Sequence, residues 1–353
     1  MLVALFLVLI SIALHMPSPY GNPSMYSDIN AIYMDLFSTR KSIEEGGRWY
    51  VEVRDFAIPY IHYKFEYPPI IGFIWCLTTS LSNTLSNDIN ERALFNYLFQ
   101  SLVILYATVL LISDMCEIAR KLGLKWQPLY MVAMPSLILF ATYNWDLIAI
   151  AFAIHSILYL LDNKPLLSGV FAGLALATKI IPGVIILPIL LELYFSRKVI
   201  EGSKFIAGSI IGGLIPYLLM YIISPRGFTD FITHHSQWYL EDSWYVMLTD
   251  NIWNEGLRTL SQALVAASVI LFSFIPLKGE YRLRILVKSW LVTGAFILFS
   301  YVYTPQMNLL LLPYIALLGI SDPLVIYSFD FLNGLIILLS LIHISEPTRP
   351  LYI

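Results

Sequence analysis

Residues 166–195 read LLSGVFAGLALATKIIPGVIILPILLELYF. As one helix this stretch would run about 45 Å, well past the ~30 Å of a bilayer's hydrocarbon core. Lys179 stands in the middle with Pro182 close behind it, and a charge inside lipid is costly. The stretch therefore reads as two short spans, 166–178 and 180–195, meeting at Lys179. The competing reading is a single long helix, which requires residues 69–84 to cross the membrane as well. The choice sets the direction of every other crossing.

Composition supports a membrane setting. Of 353 residues, 58% are hydrophobic and 13% are charged, and the mean hydropathy is +0.73. A soluble enzyme with so little polar surface could not cover itself, and disorder is excluded by the same figures. The net charge of −3 and the lack of a basic stripe exclude a nucleic-acid binder. Cys76 and Cys116 form no disulfide framework and no CxxC metal motif. What remains is an all-α polytopic membrane protein, because lipid requires each span to satisfy its own backbone.

Apolar runs near 1–14, 93–113, 128–143, 147–161, 205–223, 257–277, 287–303, 307–320 and 323–342 supply the other spans. The first run lacks a basic start and meets His15-Met16-Pro17, so it reads as an uncleaved span. Four short loops hold eleven of the 21 basic residues: Arg120, Lys121 and Lys125; Lys164; Arg197, Lys198 and Lys204; Lys278, Arg282, Arg284 and Lys288. Short basic loops stay cytoplasmic. All four share a side only if 166–195 is two spans, and the 17–68 stretch lies opposite only if 69–84 does not fully cross. The expectation is about eleven transmembrane helices in a single domain over 1–340. Its outer loops are 17–92 and 224–256, and 69–84 is an interfacial or re-entrant helix. Residues 29–43 place Ile29, Ile32, Leu36 and Ile43 near one face, an amphipathic helix on the outer leaflet. Gly169/Gly173 and Gly208/Gly212 permit close helix–helix approach.

The acids collect on the outer side. Asp28, in Tyr26-Ser27-Asp28-Ile29-Asn30, suits a general base that accepts a proton from a hydroxyl, or a helix cap. In Glu66-Tyr67-Pro68-Pro69 a rigid dipeptide either holds the carboxylate over a site or simply stiffens entry to the next helix. Lys179 suits a phosphate counterion or a snorkelling side chain. Asn144-Trp145-Asp146 is an acid-bearing turn. The stretch from His234 to Trp244 offers aromatic faces, imidazoles and Glu241 for a sugar ring, or an interfacial aromatic belt. A metal held by His234, His235 and Glu241 is disfavoured, because adjacent residues of an extended segment point apart. Tyr303-Thr304-Pro305-Gln306 offers a polar contact at the same level, or a plain turn.

In this order these motifs resemble the GT-C superfamily of membrane glycosyltransferases over roughly residues 1–320. The closest resemblance is to glycosyltransferase family 87, the polyprenyl-phosphate-mannose-dependent mannosyltransferases. The segment Gly173 to Pro182, GLALATKIIP, is similar to the family's GLAxATKxxP stretch. His235 with Glu241-Asp242-Ser243 resembles its His…Glu-Ser element, and Thr304-Pro305-Gln306 resembles its Ser-Pro-Gln turn. The chain departs from the pattern in two places. Asp28-Ile29-Asn30 replaces the Asp-x-Asp of many relatives, which weakens a first-loop metal. Gln237-Trp238 lies where an arginine often stands between the His and the Glu.

The resemblance implies inverting transfer of a sugar, mannose first, from a polyprenyl-phosphate donor (dolichol phosphate mannose being one such donor) to a lipid-linked or glycan acceptor on the outer or luminal face. It implies Asp28 as base and Lys179 as the donor-phosphate residue. Glu66, Tyr67, Asp146, His235, Glu241 and Gln306 would bind substrate. No cofactor and no metal is assigned. Membrane lipids surround the spans, and no nucleic acid is a partner. A lipid or solute transporter or flippase is the alternative, and it would rest on buried ionisable residues such as His155 and Glu192. Residues 341–350, LIHISEPTRP, resemble a translated sequencing adapter, so 341–353 is expected to be a non-native tail.

Overall fold

The computed structural model describes residues 2–17, 25–125, 134–319 and 322–344, with side chains through 336. Most of the expected tail, 345–353, and part of the 128–143 run lie outside the described residues. The described chain is helical, and its only extended pairings are isolated bridges.

Three helices are long and apolar enough to cross a membrane: Ile89–Leu122, Val199–Ile223 and Glu255–Phe274. Shorter apolar helices are Leu2–His15, Asp146–Leu161, Pro165–Thr178, Ile180–Phe195, Pro305–Leu318 and Pro323–Ile336. Local chemistry sets their ends. The Asp88 carboxylate accepts from the backbone N–H groups of Asn90 and Glu91, and Gly123 closes that helix at a φ of +61°. Asn254 caps the 255–274 helix through the Leu257 N–H.

The decisive stretch is two helices. Pro165–Thr178 ends at Lys179, whose backbone is extended, and Ile180 starts the next helix. The first of them packs along Val199–Ile223 through glycines. A Cβ on Gly169 would strike the Phe205 carbonyl oxygen, and one on Gly208 or Gly212 would strike the carbonyl of Leu166 or Val170. The expected close approach is thus a backbone-to-backbone crossing. Residues Ile210–Leu214 adopt a π turn at this contact.

The basic turns lie at the end of the bundle away from Lys179. Lys121 pairs with Asp162 at 2.7 Å, and Lys198 meets the Tyr281 hydroxyl at 3.2 Å. Arg282, Arg284 and Lys288 belong to the Tyr281–Phe299 helix rather than to a loop. Buried Glu192 takes Arg284 at 2.9 Å and Lys288 at 2.6 Å, and Lys288 also donates to the Ser273 carbonyl. His155 is likewise paired, with Asp114 at 2.5 Å, and is flanked edge-on by Tyr159 and Phe171.

At the opposite end the first loop forms a compact layer. Its amphipathic helix covers Asp28–Met34 and continues as a π turn to Thr39, ending short of the expected residue 43. Protein covers its apolar face: Tyr33 lies against Trp75, and Phe37 against Trp49 and Tyr63. The Pro69–Leu85 helix has both ends tied to this same loop. Tyr60 sits over Gly72 near one end, while Asn83 near the other donates to the Asp55 carbonyl and accepts from Tyr33. Both ends of 69–85 therefore rest against the first loop. From Gln100, at the level of Trp145, to Leu122 the long helix runs about 33 Å, one hydrocarbon thickness.

Gly212→Ala places a methyl against backbone that cannot yield. It is expected to lower stability by about 1–3 kcal/mol. Gly202→Ala, on the same helix but 3.7 Å from the flexible tip of Leu190, is expected to be neutral. Thermal melting of the two variants in detergent checks this, and equal melting points would dismiss the crossing.

Candidate active site

The site is assembled where three chain segments meet. The Asp28 backbone N–H donates to the Tyr143 carbonyl at 2.9 Å, and the Ser27 hydroxyl donates to the Thr142 carbonyl at 2.9 Å. These bonds dock the start of the 28–34 helix onto the turn before Asp146. Ser27 occupies the cap position without a side-chain cap bond, and Asp28 is the first helical residue. The capping reading of Asp28 therefore fails. Its carboxylate instead accepts from the Tyr67 hydroxyl, and it also interacts with Tyr26.

Tyr67 is held by the rigid dipeptide behind it. Pro68 is extended and Pro69 opens the next helix. The Tyr67 carbonyl accepts from the Tyr60 hydroxyl at 2.6 Å, and its ring stands edge-on to Trp145 at 4.3 Å. The proline pair thus stiffens the helix entry, and the residue it leaves beside Asp28 is Tyr67 rather than the Glu66 carboxylate expected over a site. Glu66, one residue back, binds Arg48 at 2.9 Å, and Arg48 also binds Asp35 at 2.6 Å.

Beyond Trp145, Asp146 is 1% exposed and forms an ion pair with Lys179. The Asp146 N–H donates to the Asn144 side chain at 3.0 Å. The second Asp146 carboxylate oxygen has no partner among the described residues. Lys179 therefore does not snorkel; it reaches across from the break between its two helices to another helix.

The late loop completes this end. Its histidines lie on the helix Pro225–Gln237, not on the extended segment expected for them. That removes the geometric reason given against a metal, but no group of three His, Cys, Asp or Glu able to hold an ion occurs among the described residues. The His235 Nδ1–H donates to the Phe231 carbonyl at 2.9 Å, which leaves Nε2 as an acceptor. Burial pushes His235 down and His234 down to about 4, so both rings are neutral at pH 7. Glu241 accepts from the Trp238 indole at 2.9 Å and pairs along the backbone with Tyr301 and Tyr303. Burial raises its carboxyl. Glu66 and Lys179 lie within electrostatic reach of His235. Gln306 is buried in the turn Pro305–Leu310, which packs on the 146–161 helix, and no hydrogen bond joins it to the Asp28–Lys179 cluster. Arg48 and Tyr143 were missed as site residues. A lone arginine in a polar loop carries no local signal, whereas Tyr143 stood beside the quoted Asn144-Trp145-Asp146 turn.

The electrostatics single out Asp28. Burial raises its carboxyl to about 6, chiefly against the hydrogen bond from Tyr67, which favours the charged form. Such a carboxylate is a better proton acceptor than an ordinary one and is still ionised at pH 7.

An apolar helical bundle with this polar cluster at one end has the architecture of the GT-C membrane glycosyltransferases. It is similar in fold to the crystal structure of ArnT from Cupriavidus metallidurans bound to undecaprenyl phosphate. The TM-score is 0.55 at 14% sequence identity, over 90% of this chain and 58% of that one. This chain therefore spans somewhat more than half of ArnT's length. The model of glycosyltransferase family 87 matches residues 65–300, well over half of the chain, and the protein belongs to that family. It is thus an integral membrane protein. No curated protein sequence matches it.

Tyr67→Phe deletes the donor that holds the Asp28 carboxyl down. The Asp28 midpoint is expected to rise from about 6 toward neutrality. Infrared titration of the carboxylate band, with Asp28→Asn as the blank, checks this. A midpoint that stays put or falls would mean that the Tyr67 hydroxyl does not act on Asp28.

Proposed function

We propose that the protein transfers a sugar, mannose in the first instance, with inversion from a polyprenyl-phosphate donor to a hydroxyl of a lipid-linked or glycan acceptor. The observation that carries this reading is the Asp28–Tyr67–Trp145–Asp146–Lys179 line. It places a raised, ionised carboxylate and an ammonium in one site at one end of the bundle. Undecaprenyl phosphate, the ligand in ArnT's title, supports a lipid phosphate as the donor class.

Asp28 takes the proton of the acceptor hydroxyl as its oxygen bonds to the anomeric carbon. The bond from that carbon to the phosphate oxygen breaks, and the polyprenyl phosphate leaves with the electron pair. Lys179 has two N–H groups left after its bond to Asp146, and these meet the phosphate as charge develops on it. Asp146 keeps the ammonium charged and aimed. Glu66, Tyr67, His235 and Glu241 line the sugars, with Gln306 supporting the wall from below. The folding unit is residues 1–340. The basic turns at the far end favour placing the site on the extracytoplasmic face.

Lys179→Met alone strands a buried carboxylate and is expected to cost about 3–5 kcal/mol of stability. The double variant Lys179→Met/Asp146→Asn avoids this. It is expected to fold and yet lose turnover by about two orders of magnitude, ~2.7 kcal/mol. A double variant with wild-type transfer would end the phosphate role. Asp28→Asn is expected to lose roughly 10²–10⁴-fold in transfer without loss of folding, since its carboxylate caps no helix. Cysteines placed at Lys198 and Gln237 read the orientation. Only the latter is expected to react with an impermeant thiol reagent in intact cells, and the reverse pattern would invert the proposed topology.

A further inference from the structure

One aromatic pair beside Asp28 lies outside the donor line. Tyr26 is 46% exposed, and its ring meets that of Tyr143 at 5.3 Å and 49°. Tyr143 is backed edge-on by Phe140 and His15, at 6.1 and 6.2 Å. Its hydroxyl makes no hydrogen bond among the described residues. The pair is fixed to the base through the main chain, because the Tyr143 carbonyl accepts the Asp28 N–H. Trp145 and the Lys179–Asp146 pair make no ring contact or hydrogen bond with it among the described residues.

The charges within reach of Tyr26 are Asp28 and Glu66 on the acidic side and Arg48 as the cation. Tyr143 lies within electrostatic reach of Asp28, Glu241 and Asp242. The Asp242 carboxylate is exposed and makes no hydrogen bond or ion pair among the described residues. The nearby cations are committed elsewhere, Lys179 to Asp146 and Arg48 to Asp35 and Glu66. An open V of two aromatic faces suits the apolar C–H face of a sugar ring. Carboxylates around it accept hydroxyl hydrogens and repel anions.

We propose that Tyr26 and Tyr143 are the platform for the acceptor, and that its reacting end is an uncharged or cationic carbohydrate and not an acidic or phosphorylated one. This rests on the transferase reading above and names the substrate class of the acceptor half of that site. An aromatic belt facing lipid headgroups would use the same residue types, but it would not depend on the charge of a sugar.

The test measures binding to the full-length protein in nanodiscs, with hexyl β-glucoside, hexyl β-glucuronide and decaprenyl phosphate as probes. The wild type is expected to bind the glucoside about ten-fold more tightly than the glucuronide, and Asp242→Asn is expected to narrow that gap. Tyr26→Ala and Tyr143→Ala are expected to weaken glucoside binding by about ten-fold and to leave decaprenyl phosphate binding unchanged. Tyr143→Phe, which keeps the ring, is expected to retain glucoside affinity. Since Tyr26 is exposed, its variant tests the platform even if Tyr143→Ala fails to fold. Equal binding of the two glycosides, no glycoside binding at all, or unchanged affinity in both alanine variants would overturn the proposal. Failure of decaprenyl phosphate to bind the wild type would instead sink the donor reading and leave the glycoside result standing.

Discussion

An ammonium at the edge of a lipid-embedded bundle needs a counter-charge, and Asp146 supplies it to Lys179. Each member of this pair explains the place of the other. The carboxylate is almost wholly buried and would be costly alone. The lysine interrupts an apolar stretch that would otherwise be too long for a single crossing. Once the two meet, the break between the 165–178 and 180–195 helices lies beside the start of the 146–161 helix. The end of the bundle that holds the polar cluster is defined by that meeting.

Two other constraints keep the pair in register. On one side the glycines of the 165–178 and 199–223 helices let their backbones touch, so the segment carrying Lys179 cannot slide without steric penalty. At the far end Glu192, Arg284 and Lys288 tie the 180–195 and 281–299 helices together, and Lys288 reaches the last turn of the 255–274 helix. A buried network of this kind specifies one arrangement more than it adds stability. The two ionisable residues on which a transporter reading would rest, His155 and Glu192, are both paired within the bundle.

The loops over the site are held by contacts of very long sequence separation. Tyr50 binds Asp230, and Arg226 lies over the Tyr50 ring at 4.2 Å. Ser224 donates to the Tyr60 carbonyl at 2.7 Å, and Gly227 leaves room for the same residue. The 17–92 and 224–256 stretches are thereby clasped together, which brings His235 within electrostatic reach of Glu66 and Lys179. His235 is accessible to solvent, with the rings of Phe231 and His234 beside it.

The all-helical membrane character, the two-helix reading of 166–195 and the glycine crossing all follow from the sequence, because each is a local matter of hydropathy, spacing and charge counted along the chain. Asp28, Tyr67, Asp146, Lys179, His235 and Glu241 were legible as candidates for the same reason: short polar motifs stand out between apolar runs. Only the tertiary structure decided which of them meet. It gave Lys179 a carboxylate partner, took Asp28 out of its capping role, made the histidine segment helical and left Gln306 unbonded to the cluster. It also drew in Arg48, Tyr26 and Tyr143. Those outcomes depend on pairs that no local pattern joins, such as Asp146 with Lys179 or Asp28 with Tyr143, or on one arginine holding two acids at once. No local periodicity encodes a contact of that kind; packing selects it once the helices have closed on one another.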